Sequence, residues 1–153
     1  MEHFPGLIPR EASDAFVDRI EAQFAERGFG PWAVEVRETS TFIGFVGLLV
    51  PSIEAHFTPA VEIGWRLAHD AWGHGYATEA AGAVLVTAFR DLGLREVVSF
   101  TVVANVRSRR VMERIGMTHD PDDDFDHPRF PVGHPICRHV LYRIRAGANT
   151  MQA

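Results

Sequence analysis

Two glycines one residue apart, Gly73-His74-Gly75, separate a strand-like run at 61–67 from a helix-like run at 75–90. A chain that passes from strand to helix through such a turn is committed to a sheet with a helix packed on it. Glycine reaches backbone conformations that other residues avoid, so the turn can aim its N–H groups inward. The first amides of the helix have no intrahelical acceptor, and the helix dipole adds partial positive charge. Together these groups make a cradle for an anion such as a pyrophosphate. Taken alone, a Gly-x-Gly turn is equally an ordinary tight turn. It is not a dinucleotide fingerprint, because the third glycine would fall at Thr78 and the strand before it belongs to an antiparallel set. A P-loop is excluded as well, since all 15 basic residues are arginine and none is lysine. The same absence removes lysine Schiff-base chemistry.

The elements around this turn follow from hydrophobic period. Phe16, Ile20 and Phe24 recur every four residues after Pro9, with Ala12 and Val17 beside them, which predicts a helix with those three residues in the core. Gly28 is its expected stop, and Gly30-Pro31 prevents resumption. Residues 32–36 and 41–50 are β-branched and aromatic around a short polar turn, a hairpin signal, and 61–67 is a third strand. In the helix that follows, Ala77, Ala81, Leu85 and Phe89 form one stripe. The nearly unbroken apolar run at 96–103 reads as a strand buried on both faces. A short helix at 105–115 ends at Gly116, and 136–144 is the last strand. Residues 120–135, with five Asp and four Pro, read as a solvated loop. Three antiparallel strands followed by βαβ connections make an α/β fold with a mixed sheet and helices packed on it.

With 153 residues the chain suffices for one domain, 1–153, and 46% hydrophobic residues can fill a core. No apolar run reaches the roughly 20 residues of a membrane helix, and Met1-Glu2-His3-Phe4-Pro5 lacks the marks of a secretion signal. The lone Cys137 excludes an intrachain disulfide, as suits a reducing, cytoplasmic setting. A formal net charge of -5 disfavours nucleic acid as a partner and favours a cationic small molecule. His119, His127, His134 and His139 around Cys137 match no zinc spacing, and Asp122, Asp124 and Asp126 fail as a calcium loop because His127 and Gly133 stand where glycine and glutamate are needed. No metal is expected.

A second informative segment lies about thirty residues beyond the glycine turn: Asn105-Val106-Arg107-Ser108 opens a helix that closes on Val111-Met112-Glu113-Arg114-Ile115-Gly116-Met117. With Glu62-Ile63-Gly64-Trp65-Arg66-Leu67, with Trp72-Gly73-His74-Gly75-Tyr76-Ala77-Thr78-Glu79-Ala80 and with the terminal His139-Val140-Leu141-Tyr142-Arg143 strand, the chain resembles the GNAT acetyltransferase superfamily, in the branch of the ribosomal-protein N-acetyltransferases RimJ and RimL. The resemblance runs from about Phe4 to Ile144.

It implies a GNAT fold, a twisted, mostly antiparallel sheet with a splayed parallel pair and helices on both faces. It also implies an N-acetyltransferase that uses acetyl-CoA as co-substrate and acetylates a primary amine in a ternary complex without an acyl-enzyme. The pyrophosphate is then expected on Gly73, His74, Gly75, Tyr76, Ala77 and Thr78, and the pantetheine arm along Trp65, Arg66 and Leu67 and on Asn105. Strand amides at 64–67 face the carbonyl that gains charge. The family's Asn-x-x-Ser serine corresponds to Ser108, the candidate proton donor to the leaving thiolate; its ordinary reading is a hydroxyl bonded to the helix start. Glu62 leads the candidates for the base, ahead of His56 and Glu54, with a solvated glutamate as the plain alternative. A base matters because an α-amine of pKa about 8 is roughly one-tenth neutral at pH 7, and a lysine far less.

Two departures stand out. Where the family carries Gln or Arg ahead of the first glycine, this chain has Asp70, read as a solvated loop residue, so the cradle relies on backbone amides and the helix dipole, with Arg66 or His74 as candidate sources of positive charge. Family members also place a further strand and helix before the segment that Phe4-Pro5 resembles. Either the start lies upstream of Met1 or the domain forms without that edge strand, which would expose the strand at 32–36 to pairing, for instance in a homodimer. Phe125, Asp126, His127 and Pro128 are read as acceptor-side residues or as a plain connection. The acceptor itself is a protein N-terminus or a small-molecule amine, and the competing function is a non-catalytic CoA-binding module with an incomplete acceptor site.

Overall fold

The computed structural model describes residues 9–148, so the expected match at Phe4-Pro5 lies outside the described residues. Element order is α1 (Arg10–Arg27), β1 (Pro31–Val36), β2 (Thr41–Leu49), β3 (Glu62–Leu67), α2 (Tyr76–Val86), β4 (Glu96–Val102), α3 (Val106–Arg114), β5 (Thr118–His119), β6 (Phe125–Asp126) and β7 (Arg138–Arg145). The strands form one sheet in the order β1-β2-β3-β4-β7-β5, with β6 also paired to β7. Every pairing is antiparallel except that of β3 with β4, which is parallel. This is a mixed sheet with one parallel pair, as the resemblance implies.

Alternation divides the sheet into two apolar layers. On one face Val46, Leu48, Ile63, Val97, Val140, Tyr142 and Ile144 pack with Ala81 and Leu85 of α2, with Ala88 just beyond it and with Met112 of α3. On the other, Phe57, Val98, Phe125 and Leu141 form a smaller cluster with Phe100 beside it. The α2 stripe runs through Ala81, Leu85 and Ala88, whereas Phe89 is half-buried; past Val86 the helix widens into a π-turn over Thr87–Asp91, where Leu92 N–H reaches Thr87 O.

α1 departs from expectation. None of its residues is fully buried, and Phe16, Ile20 and Phe24 are half-buried rather than core. The reason is its partner: the helix lies against the β1–β2 hairpin, with Phe16 on Phe45, Phe24 edge-on to Trp32 and Gln23 Nε2 donating to Phe29 O and Leu48 O. The hairpin has its own constraint at Gly44 (φ 138°), where a Cβ would strike the Arg66 carbonyl oxygen, beside the register shift at Val34/Glu35.

The parallel pair decides where a site can form. Val98 N–H donates to Val61 O at 2.9 Å, and Glu62 pairs with Val98, the single parallel register match. In a continuing ladder, Phe100 N–H would meet Ile63 O next. The hydroxyl of Ser99, only 2% exposed, takes that carbonyl instead at 2.8 Å. Beyond this point the strands part, β3 staying on β2 and β4 on β7. Ser99→Ala would strand a buried carbonyl and is expected to lower the unfolding free energy by about 1–3 kcal/mol in urea titrations. An unchanged denaturation midpoint would show that the hydroxyl does not hold this junction.

Candidate active site

Strand parity fixes what β3 offers to the gap. Val61 O and Ile63 O both face β4, so the main-chain groups of odd residues point that way while Glu62, Gly64 and Arg66 bond to β2. Past the junction, Trp65 N–H and C=O and Leu67 N–H are therefore aimed into the opening. Leu67 O is already taken by the indole N–H of Trp72 at 3.0 Å, which ties the approach to the glycine turn back onto the strand.

At that turn Gly73 and Gly75 hold φ of 82° and 83°, left-handed values that favour glycine, and no atom lies within 4 Å of a Cβ built on either. Gly75 caps α2 without any side-chain bond, and the first intrahelical hydrogen bond runs from Glu79 N–H to Gly75 O at 3.0 Å. The amides of Tyr76, Ala77 and Thr78 are thus left without intrahelical acceptors. His74 stacks on Tyr76 at 5.5 Å. The expected source of charge is corrected in part. The Arg66 side chain shares its face with Phe45, over whose ring its guanidinium lies at 5.9 Å, away from α2; burial lowers its pKa. Arg107, which the sequence reading passed over, lies instead over the Trp72 ring at 4.8 Å and carries its charge next to the glycine turn. Asp70 is exposed, as a solvated loop residue should be.

Across the gap, Asn105 caps α3. Its Oδ1 accepts from Ser108 N–H at 3.2 Å, and its Nδ2 donates to Thr101 Oγ1 at 3.0 Å and to Ser108 Oγ at 3.1 Å. Trp65 Nε1 reaches over from β3 and donates to the same Oγ at 3.3 Å. Residues 43 apart in sequence, on the two sides of the splay, meet at one hydroxyl. Buried Met112 and the hydrogen bond from Tyr142 OH to Glu113 Oε1 at 3.0 Å anchor the rest of α3.

Glu62 lies on the opposite face, alternating with fully buried Ile63. Part of the residue's surface is exposed, its carboxyl meets no cation or donor among the described residues, and desolvation pushes its pKa up to about 8. Gly64 beside it leaves its carboxyl uncrowded: a Cβ there would sit 4.0 Å from Glu62 Oε1. The competing bases differ. Glu54 is exposed, and His56 is held by Asp123 at 3.2 Å.

The acidic segment is more structured than its composition predicts. Phe125 and His127 are buried with Phe57, Phe100 and His139, and burial together with the neighbouring His139 and Arg129 lowers the His127 pKa to about 4. Asp123, Asp124 and Asp126 are engaged by Arg143, His119 and Arg138. Among the described residues, no group of three His, Cys, Asp or Glu is placed to hold a metal ion, and no helix is long and apolar enough to cross a membrane.

With this geometry in hand, comparison with known proteins gives the class. The acetyltransferase (GNAT) domain family matches residues 1–118, and the chain belongs to that family. Its members use acetyl-CoA as co-substrate. Among individual proteins, the chain is similar to FsC-acetyl coenzyme A-N(2)-transacetylase of Aspergillus fumigatus, 41% identical over 96 residues that cover 60% of this chain and 40% of that protein. It is also similar to YkkB of Bacillus subtilis, 32% identical over 119 residues covering 76% of this chain and 67% of the relative. An acetyltransferase crystal structure from Agrobacterium tumefaciens superposes with a TM-score of 0.69 at 30% identity, covering 92% of this chain and 74% of that one. The chain thus spans well under half of the Aspergillus protein's length and about two thirds of YkkB's.

Glu62 gives a stability signature with a definite sign. Its folded-state pKa, about 8, stands above the ordinary 4.5, so its contribution is fully present below pH 4.5 and is lost as pH rises through about 8. Glu62→Gln is therefore expected to melt like the parent near pH 4.5 and to be more stable above pH 8, by a margin on the order of a few kcal/mol. Identical melting differences at both pH values would mean a solvated carboxyl.

Proposed function

We propose that this chain transfers the acetyl group of acetyl-CoA to a primary amine, with the amine attacking the thioester directly. The observation that carries this is the splayed β3–β4 pair: it leaves the Trp65 N–H and C=O and the Leu67 N–H open on the strand that leads, through the glycine turn, to the free amides of 76–78. In this reading Gly73, His74, Gly75, Tyr76, Ala77 and Thr78 hold the pyrophosphate, with Arg107 as the adjacent cation. Trp65, Leu67 and Asn105 line the pantetheine arm, and the Arg66 main chain keeps that strand on β2.

Glu62 accepts the proton that the amine must lose, and a base whose pKa lies near that of an α-amine is well matched to the task. Open amides of β3 face the oxygen that gains negative charge. Ser108 donates a hydrogen bond to the departing sulfur. Atoms balance: the amine nitrogen gains the acetyl carbon and gives one proton to Glu62, which releases it to solvent, and the sulfur leaves with the bonding pair as a thiolate hydrogen-bonded by Ser108 and becomes a thiol by taking one proton from solvent.

For the acceptor, we place the chain in the RimJ/RimL-like branch, with a protein N-terminal amine or a small-molecule amine as substrate. The name of the Aspergillus relative, a coenzyme A-N(2)-transacetylase, supports nitrogen as the atom acylated.

The decisive measurement is calorimetric titration of the 1–153 chain with acetyl-CoA, followed by thiol release over a panel of amines. Acceptor-dependent release is the expected result. Binding without release over N-terminal peptides, polyamines and small amines would favour a CoA-binding module, and a folded sample that does not bind would defeat the reading. Glu62→Gln should leave acetyl-CoA affinity within about twofold while lowering turnover by about 100-fold. The parent rate should rise as pH approaches 8, where Glu62 loses its proton. Gly75→Val, forcing a β-branched residue to φ of 83°, should cost at least about tenfold in affinity.

A further inference from the structure

We propose that Trp65 is a positioning residue for the leaving sulfur: its indole N–H, with the Asn105 amide, occupies the Ser108 oxygen as acceptor and so keeps the Ser108 proton free to donate into the gap. The inference rests on the acetyl-CoA reading above and adds a residue and a task to it.

The argument is a count of hydrogen bonds. A serine hydroxyl has one proton to give and two lone pairs to receive with. A serine in the first turn of a helix ordinarily spends its proton on a nearby backbone carbonyl. Here Ser108 Oγ receives Trp65 Nε1–H at 3.3 Å and Asn105 Nδ2–H at 3.1 Å, so both lone pairs are used. Among the described residues the hydroxyl donates to no acceptor. The Ser108 amide is fixed to Asn105 Oδ1 at 3.2 Å, and the Asn105 amide is oriented in turn by Thr101 Oγ1 at 3.0 Å, so neither the serine nor its partner is at liberty to turn.

The two donors approach from opposite sides of the splay, Trp65 from β3 and Asn105 from the start of α3, and the oxygen between them borders the opening. Two donated bonds draw electron density from the oxygen and strengthen its remaining O–H as a donor, the cooperativity of a hydrogen-bond chain. What such a group recognises is a soft anion at the end of the pantetheine arm, a thiolate, in preference to a neutral methyl or methylene in the same place.

The test needs no acceptor amine. CoA and desulfo-CoA, which lacks the sulfur, are titrated into the protein by calorimetry between about pH 7 and about pH 10.5, across the range in which an alkyl thiol, less acidic than the cysteine side chain at about 8.5, ionises. Expected for the parent is a CoA affinity that rises about tenfold relative to desulfo-CoA over that range. In Trp65→Phe, and in Ser108→Ala, that rise, read as the ratio of CoA to desulfo-CoA affinity at each pH, should fall to about twofold or less, whatever affinity both ligands lose in common. The double variant should lose no more than Ser108→Ala alone, since the indole acts through the hydroxyl. A Trp65 whose role is only packing would change both ligands alike, and that result overturns the proposal, as would an undiminished pH response in Trp65→Phe. β-(3-Benzothienyl)alanine at position 65 keeps the ring shape and removes only the N–H, so it decides the matter should the phenylalanine variant fold poorly. If the parent binds neither ligand, the acetyl-CoA reading fails and takes this proposal with it; if it binds both with no pH-dependent difference, only this proposal fails.

Discussion

Nearly everything that makes this chain more than a covered sheet depends on one hydrogen bond, from the Ser99 hydroxyl to the Ile63 carbonyl. Parallel strands pair through evenly spaced main-chain bonds, and any residue that substitutes a side chain for the next N–H interrupts the series. Ser99 does so from inside the apolar layer, where an unpaired carbonyl would be costly, so the junction satisfies the backbone even as it ends the pairing. The two strands are then free to follow their antiparallel neighbours. The opening is a consequence of polar accounting in the core.

The electrostatics of the opening follow from a composition without lysine. The start of α2 presents main-chain N–H groups, the positive end of the helix dipole and, beside it, an arginine laid flat on an indole. Planar guanidinium on an aromatic face is an arrangement for which lysine is a poor substitute. Other arginines are committed to the far end of the sheet, where Arg143 and Arg145 share Glu96 and Arg143 also grips Asp123. The acidic segment between β5 and β7 is thereby fastened to the sheet, although its composition suggests a solvated loop. The carboxyl of Glu62 has no such cation to offset its desolvation, and the desolvation sets its preference for a proton.

Much of this was legible in the sequence because period and punctuation agreed. Alternation at 61–67, the paired glycines and the small-residue stripe of α2 each pointed to the same local geometry, and motif order tied them to one family. The start of a helix at Asn105 and the placement of Glu62 against Ile63 followed from spacing alone. Three things did not. Phe16, Ile20 and Phe24 show perfect helical spacing, yet period reports which face is apolar and not how many layers lie against it. Arg66 and Arg107 are indistinguishable as charges; only strand parity sends the first away from α2, and only the tertiary meeting of α3 with Trp72 brings the second in. Ser99 was visible as a polar residue within a largely apolar strand, a signal that reads as a minor blemish until the neighbouring strand's carbonyl is in place.

Gly64 has a different standing from the other strand glycines. At Gly44 and Gly47 a side chain would collide with backbone, so the fold dictates the residue. At Gly64 a Cβ would find only ordinary contacts, 3.6 Å from Leu49 Cδ1 and 4.0 Å from Glu62 Oε1. Packing therefore leaves this position open, and what a methyl group would alter there is the hydration of one carboxyl. Acidity at Glu62 is in that sense adjustable by a single carbon, at a point where the architecture itself has no stake in the outcome.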